Sequence, residues 1–235
     1  MFSNIFTHAV GKNIGIIIII MFITFEGPDG SGKSTQIPLL AEFLRQAGYD
    51  ILLTREPGGT PIGEQIRGII SDLKNTDMRE RTEILLFQAS RAQHVDQVIL
   101  PHLQRGGLVL CDRYADSTLA YQGYGYQLFD LDTLRSIIRF ATGGLQPDLT
   151  LLFDLEAEEG LRRRSNGGEW NRLDALDLEF HRRVRMGYLE MAQLEPARWV
   201  MIDAAQTPER VQKDIQHVVL NRLNVEPSTF NRLTS

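Results

Sequence analysis

The chain has 235 residues, of which 43% are hydrophobic and 23% are charged, and its formal net charge is −5. This length and composition suit one domain with a sizeable core, and they exclude a disordered, collagen-like or membrane-spanning chain. The single cysteine, Cys111, excludes a disulfide framework, and the five histidines show no metal-ligand spacing, so a zinc site is not expected. The compartment that we expect is a reducing cytoplasm.

The choice of basic residue points to a class of ligand. Arginine accounts for 21 of the 25 basic residues, and its planar guanidinium suits bidentate contact with phosphate. The negative net charge argues against a general nucleic-acid coat protein. We therefore expect small phosphate compounds as ligands, and no nucleic acid.

The first twenty residues contain an apolar run at 16–23. A membrane-spanning helix needs roughly 20 apolar residues, so this run predicts no membrane span. A signal peptide fits the order of basic and then apolar residues, but no small-residue cleavage site follows. A buried strand over 16–25 is a further alternative. We favour the hypothesis that residues 1–20 are an N-terminal extension outside the fold and that translation can begin at Met21.

From residue 21 onward, strand-like and helix-like segments alternate. Strands separated by helices indicate right-handed crossovers and an α/β fold, with a parallel sheet covered by helices on both faces. We predict one domain over 21–223, with a mobile lid at about 160–173 and a flexible tail at 224–235. The predicted strands are 22–25, 51–54, 108–111, 149–153 and 198–202, and the predicted helices are 33–47, 62–72, 78–104, 131–141, 156–164, 174–194 and 208–223.

The first strand runs into a segment that matches the pattern G-x-x-x-x-G-K-[ST], and a helix follows it, as this phosphate-binding motif requires. Its glycines allow successive N–H groups to turn toward phosphate oxygens, and the helix directs its positive end at the same anion. Lys33 adds a charge at the β and γ oxygens, and the Ser34 hydroxyl is placed to bind Mg²⁺. The alternative is a flexible glycine turn. The motif comprises Gly27, Pro28, Asp29, Gly30, Ser31, Gly32, Lys33 and Ser34.

The sequence Thr-Arg-Glu-Pro-Gly-Gly-Thr at 54–60 follows the second strand, at the edge where open α/β sheets bind ligands. Arg55 is a candidate for the phosphate of a second substrate. A Pro-Gly turn with an incidental arginine explains these residues equally well.

On the long helix, Glu83, Phe87 and Arg91 recur every four residues and share a face. Phe87 lies on the flank of the apolar stripe, where it is placed to stack on a base while Arg91 bonds to the edge of the base. The alternative is that Phe87 is an ordinary core residue.

The third strand ends in Cys111-Asp112-Arg113. Asp112 emerges where acidic groups hold Mg²⁺ through water, and Arg113 beside it can reach a phosphate. We interpret Cys111 as a small buried residue and not as a nucleophile, because no histidine is near it in sequence.

Three motifs in this order, GPDGSGKS, TREPGGT and LCDRYADSTLAYQ, resemble those of the thymidylate kinases, a family of P-loop nucleoside monophosphate kinases. The resemblance runs from about 22 to 223. It implies the P-loop NTPase fold and the transfer of phosphate from ATP to dTMP, with Mg²⁺, to give dTDP for dTTP synthesis. It also implies a homodimer built from the helices after TREPGGT and around the long helix.

The resemblance implies roles for individual residues. Phe87 would stack on thymine, Arg91 would bond to its O4 atom, and Thr118 and Gln122 would lie near the base. Tyr121 would crowd the 2′ carbon of the sugar and favour deoxyribose. Arg55 and Arg113 would hold the phosphate of dTMP, with Asp29 near that phosphate.

The lid of this family supplies cations to the transferred phosphoryl group in members that, like this chain, have no arginine after the P-loop aspartate. Arg163, Arg164 and Arg172 are the catalytic candidates, beside Lys33, Asp29 and Arg113. The alternative for 162–164 is a run of charged residues that only contacts solvent. The sequence does not decide which of Arg162, Arg163 and Arg164 contacts phosphate. Pro38 inside the first helix and Asn171, where many members have aspartate, depart from the usual pattern.

Two other functions stay open at this point. The first is a kinase for another nucleoside monophosphate or for a deoxynucleoside. The second is a nucleotide-binding regulatory module that has lost catalysis, although the residues that carry the chemistry are all present.

Overall fold

The structure is a computed structural model that describes residues 20–127, 130–166 and 171–225. The predicted extension at 1–20 lies outside the described residues except for Ile20. The middle of the predicted lid and nearly all of the predicted tail also lie outside them. The boundaries of the domain, the lid and the tail therefore stay predictions.

A parallel sheet of five strands forms the centre of the molecule, in the order β2-β3-β1-β4-β5. β1 pairs with β3 on one side and with β4 on the other. All six residues of β1 are buried, as expected for a central strand of a parallel sheet. The predicted α/β fold is confirmed. The strands are β1 (Met21–Glu26), β2 (Ile51–Arg55), β3 (Leu108–Asp112), β4 (Leu149–Asp154) and β5 (Trp199–Asp203).

Helices cover both faces of the sheet. On one face Ile23 and Phe25 of β1 pack with residues of α1 and α9, and on the other Phe22 packs with residues around α4. Alternate side chains of one buried strand thus contribute to two cores. The helices are α1 (Lys33–Gln46), α2 (Pro61–Ser71), α3 (Glu80–His94), α4 (Leu100–Gln104), α5 (Ala115–Thr118), α6 (Leu131–Thr142), α7 (Ala157–Ser165), α8 (Leu178–Leu194) and α9 (Pro208–Arg222), with π-helical stretches at Val95–Ile99 and Leu119–Gly125.

The structure differs from the predicted elements in three places. The long helix predicted at 78–104 is continuous from Glu80 but contains the π-helical stretch at Val95–Ile99. The helical region 115–125 was not predicted. α8 begins at Leu178 and not at 174, because the Asp177 carboxylate accepts the N–H of Phe180 at 2.7 Å and caps the helix there.

The first helix agrees with the prediction: α1 continues through Pro38.

In the part of the chain that the structure describes, no helix combines the length and the apolar character that crossing a bilayer requires.

Candidate active site

A cleft of about 540 Å³ opens at the carboxyl ends of β1, β2 and β3. This is the position where ligands bind in open α/β sheets, because the chain leaves neighbouring strands in different directions there. The cleft is lined by the phosphate-binding loop, the segment after β2, α2, α3, the helical region after β3 and α7. Its lining includes Asp29, Gly30, Ser31, Gly32, Lys33, Ser34, Arg55, Arg67, Phe87, Asp112, Arg113, Ser117, Thr118, Tyr121, Gln122, Arg163, Arg164 and Asn171.

The phosphate-binding loop packs directly against α7. A Cβ atom on Gly30, whose φ is +79°, would lie 2.2 Å from the carbonyl oxygen of Gly160. A Cβ atom on Gly160 would in turn lie 2.7 Å from the carbonyl oxygen of Asp29. No larger residue fits at Gly30 without moving α7. The loop and the helix that carries the lid arginines therefore meet through two glycines.

Lys33 is buried and bonds to the loop that it follows. Its Nζ atom donates to the carbonyl oxygens of Gly27 and Pro28, at 3.0 and 2.9 Å, and to the Ser31 hydroxyl at 3.2 Å. Burial and the nearby Arg113 lower the pKa of Lys33 to about 8. Phosphate oxygens in the cleft would favour the charged form and compete for these three bonds.

Arg113, which follows β3, also lines the cleft, and its guanidinium reaches two predicted site residues. Its Nη2 atom donates to Asp29 Oδ1 and to the Tyr121 hydroxyl, each at 3.1 Å. Burial alone would raise the pKa of Asp29, but Arg113 and Lys33 outweigh it and hold this pKa well below its usual range. Asp29 is thus a carboxylate between two cations.

The residues predicted to hold Mg²⁺ fit a hard cation. Ser34 and Asp112 both line the cleft. The Oδ1 atom of Asp112 is buried and has no hydrogen-bond partner among the described residues, which leaves it able to accept a water of a hydrated metal. Mg²⁺ is usually held by few protein groups together with water and phosphate oxygens.

The wall of the cleft next to α3 contains Phe87, Thr118, Tyr121 and Gln122. The predicted base-binding residues are therefore together, with one exception. Arg91 is 1% exposed and does not belong to the lining of the cleft.

Arg91 instead bonds to the groups behind that wall. Its Nη1 atom donates to Gln88 Oε1 at 2.7 Å and to the Thr118 hydroxyl at 3.0 Å. Its Nε atom donates to the buried Glu56 at 2.7 Å, and its Nη2 atom donates to the carbonyl oxygen of Tyr114 at 2.9 Å. The predicted bond from Arg91 to a base stays a prediction, and Thr118 connects Arg91 to the cleft.

Two arginines, one at the end of β2 and one on α2, line the cleft. Arg55 lines it, and its Nη2 atom lies 2.9 Å from both carboxylate oxygens of Glu64. Arg67, on α2, was not predicted; its Nη1 atom donates to the carbonyl oxygen of Pro57 at 3.1 Å. Burial and the nearby Arg55 lower the pKa of Arg67. The position of Arg67 in the sequence could have indicated it, because α2 starts immediately after a loop at the ligand-binding edge of the sheet.

The structure separates the arginines of the predicted lid. Arg163 and Arg164 line the cleft. Arg162 is 64% exposed and pairs with Glu159. Arg172 pairs with the buried Glu83 and donates to the carbonyl oxygen of Ile70, so it does not face the cleft here. Its predicted catalytic role stays a prediction.

Asn171 has a clear structural role. Its backbone N–H donates to Asp174 Oδ2 at 2.9 Å and its side-chain amide donates to the same oxygen at 2.6 Å. The Arg164 Nε atom donates to that oxygen at 3.1 Å. Asn171 therefore helps to fix the position of Asp174, which accepts the hydrogen bond from Arg164.

The family model, the relatives and the solved structure that match this chain all belong to the same family. A family model described as thymidylate kinase matches residues 25–215, from within β1 to within α9. The chain is 52% identical over 211 residues to the thymidylate kinase of Roseiflexus sp. (strain RS-1), which covers 85% of this chain and 93% of the relative. It is 56% identical over 191 residues to the thymidylate kinase of Thermomicrobium roseum, over 81% of this chain and 90% of the relative.

A similar solved structure is the crystal structure of thymidylate kinase from Ehrlichia chaffeensis. It matches with a TM-score of 0.69 and 35% sequence identity, and the match covers 85% of this chain and 98% of that one.

Proposed function

Since the chain belongs to the thymidylate kinase family and is a dTMP kinase, we propose that the cleft binds ATP at the phosphate-binding loop and dTMP between Phe87 and Arg113, and transfers the γ-phosphoryl group in line between them. The observation that carries this proposal is the lining of the cleft, in which Lys33, Asp112, Arg113 and Phe87 face one cavity. Phosphoryl transfer needs mainly positioning and charge cancellation, and these residues supply both.

On the donor side, Lys33 and the N–H groups of the loop bind the β- and γ-phosphates of ATP. Ser34 and Asp112 would hold Mg²⁺, which would supply positive charge to neutralise these oxygens. On the acceptor side, Arg55, Arg67 and Arg113 surround the phosphate of dTMP. Phe87 stacks on the base, and Thr118, Gln122 and Arg91 behind Thr118 recognise its edge. Tyr121 packs against the sugar.

The experiment that tests the acceptor is a coupled assay of ADP release with dTMP, dUMP, dCMP, dAMP, dGMP and thymidine. We expect the highest kcat/KM with dTMP. A higher value with another nucleotide, or with the nucleoside, would overturn the proposed acceptor site.

Replacing Asp112 with asparagine is expected to raise the Mg²⁺ concentration needed for half-maximal activity by about tenfold or more, because groups that orient a metal contribute about 10- to 100-fold to its binding. The measurement is initial rate against free Mg²⁺ at fixed ATP. Asp203→Asn is the matched control, since Asp203 is exposed at the end of β5. An unchanged Mg²⁺ dependence in Asp112→Asn would exclude Asp112 from the metal site.

The arginines of α7 are expected to differ in their contributions. We expect the more severe of Arg163→Ala and Arg164→Ala to lower kcat by about 100-fold, which is typical for the loss of one group that stabilises developing charge. Arg162→Ala is the control and should leave kcat nearly unchanged, because Arg162 is on the same helix but is 64% exposed and does not line the cleft. Steady-state kinetics with dTMP and ATP measure both. A larger loss in Arg162→Ala would reverse the assignment.

The active form that we propose is a homodimer. Exposed apolar side chains on α2 and α3 support it, since Ile62, Ile69 and Leu85 are 51%, 47% and 59% exposed on the helices that the family resemblance implicates. Light scattering coupled to size-exclusion chromatography measures the mass.

The location that we propose is the cytoplasm, where the lone, buried Cys111 stays reduced. The domain that we propose spans 21–223, with a lid at 160–173.

A further inference from the structure

Arg113 has an uncommon backbone conformation that neighbouring groups hold on both sides. Its φ is +66°, a left-handed conformation that is unfavourable for a residue with a long side chain. The N–H of Arg113 donates to the carbonyl oxygen of Phe25 at 3.0 Å. The next N–H, that of Tyr114, donates to Oε1 of Glu26 at 2.8 Å. The end of β1 therefore holds the backbone on either side of Arg113.

Glu26 also reaches the guanidinium of Arg113 through two hydroxyl groups. Its Oε2 atom accepts from Ser117 Oγ at 2.6 Å and from the Tyr188 hydroxyl at 2.8 Å. The same two hydroxyl oxygens accept from the Nη1 atom of Arg113, each at 3.2 Å. Each hydroxyl has one proton, so donating it to the carboxylate leaves a lone pair for Arg113.

The polarity of this chain of hydrogen bonds depends on Glu26. The three groups bonded to its carboxylate are all donors, which an ionised carboxylate accepts without a proton of its own. Burial and the nearby Asp116 raise the pKa of Glu26 to about 7, while Arg113, Ser117 and Tyr188 oppose this shift. Slightly alkaline assay conditions therefore keep Glu26 ionised.

Glu26 does not itself reach the substrates. It is fully buried, and it does not belong to the lining of the cleft. The opposite end of the guanidinium, Nη2, is the part that bonds to Asp29 and Tyr121 at the cleft. One edge of Arg113 is thus fixed through Glu26, and the other faces the substrates.

We propose that Glu26 is a positioning residue for dTMP phosphorylation: it holds the backbone and the guanidinium of Arg113 in the orientation that receives the phosphate of dTMP. This inference rests on the proposed role of Arg113 as a ligand of that phosphate. No motif in the sequence pointed to Glu26, except that a glutamate ends an otherwise apolar buried strand.

The test is Glu26→Gln, which keeps the size of the side chain and replaces one acceptor oxygen with a donor. If the amide nitrogen faces the N–H of Tyr114, that bond is lost; if it faces the two hydroxyls, they must accept from the amide, which reverses the hydrogen bonds that lead to Arg113. We expect kcat/KM for dTMP to fall by roughly 10- to 100-fold, the scale of a small misplacement of a reacting group. We expect the KM for ATP to change little. The assays are run at about pH 8, above the pKa of Glu26.

A double-mutant cycle with Arg113→Ala separates positioning from a general structural role. We expect Glu26→Gln to cause little further loss when Arg113 is already alanine. If Glu26→Gln lowers kcat/KM by the same factor in both backgrounds, or leaves the wild-type value unchanged, the inference is wrong. If Arg113→Ala itself keeps normal use of dTMP, the proposed phosphate site fails, and this inference fails with it.

Two further variants guard against a folding effect. Asp116, on α5, is a buried carboxylate whose ion-pair partner is Arg198. The variant Asp116→Asn should leave kcat/KM for dTMP nearly unchanged. Tyr188→Phe removes one hydroxyl and keeps the ring contacts with Tyr121 and Trp199. It should lower kcat/KM by about threefold or more, in line with one hydrogen bond to a charged group, and by little in the Arg113→Ala background. Unchanged kinetics in Tyr188→Phe would overturn the inference even if Glu26→Gln does not fold.

Discussion

Replacing Lys33 with alanine is expected to lower kcat by about 1,000-fold or more, the scale for losing a charge that stabilises a phosphoryl group in transfer. The Nζ atom of Lys33 already sits inside the phosphate-binding loop, bonded to two of its carbonyl oxygens. Phosphate oxygens entering the cleft attract it away from neutral acceptors of the same loop. The measurement is kcat with saturating dTMP and ATP.

The control for this variant is Lys213→Ala, because Lys213 is exposed on α9 and its loss changes the net charge by the same amount. Its kcat should equal that of the unaltered chain. Circular dichroism checks that Lys33→Ala is folded. A folded Lys33→Ala variant that keeps a tenth or more of the activity would show that the loop binds ATP without its lysine, and the proposed donor site would need revision.

The positions of the strands in the sequence were predictable because buried parallel strands are short apolar runs, and glycines mark where they stop. All five predicted strands match observed strands to within one residue at each end, although element ends are the least certain part of such a prediction. The helical region 115–125 was not predictable from the spacing of apolar residues. Its seven-residue π-helical part has no simple apolar period to recognise.

The phosphate-binding loop and the family were predictable because local sequence determines them. A glycine-rich turn between a strand and a helix needs no distant partner, and the thymidylate kinase resemblance drawn from three motifs is confirmed by the family model and by relatives that are about half identical. The packing of Gly30 on Gly160 was not predictable, since it joins segments that are 130 residues apart in sequence.

The environment of charged side chains could not be predicted from helix geometry. Helix spacing placed Glu83 and Arg91 on one face, and both are 1% exposed. A side chain of this kind is buried only where another segment supplies a partner of opposite charge. For Arg91 that partner is Glu56 from the loop after β2, and for Glu83 it is Arg172 from the end of the lid. Neither pairing leaves a signal in the local sequence.

Replacing Arg91 with alanine is expected to impair the protein in two ways. It removes the arginine partner of Glu56, whose side chain is 3% exposed and whose other carboxylate oxygen lies 3.2 Å from His94 Nδ1; breaking a buried ion pair on one side destabilises a protein by about 3–5 kcal/mol. It also removes one donor to the Thr118 hydroxyl at the wall of the cleft and leaves the bond from Gln88 Nε2 at 3.1 Å. We expect a lower free energy of unfolding in urea, and a higher KM for dTMP with the KM for ATP little changed.

A second variant separates these two effects. In Arg91→Met with Glu56→Gln, no buried charge lacks a partner, because both members of the pair are neutral and nearly the same in volume. We expect this double variant to recover at least about 1–2 kcal/mol of the stability that Arg91→Ala loses, because replacing both partners of a buried pair is much less costly than removing one. Its KM for dTMP should stay high, because Thr118 still lacks the bond from Arg91 and the base edge still lacks a guanidinium. If stability and the use of dTMP recover together, then Arg91 acts only as the partner of Glu56, and the predicted contact with the base is wrong.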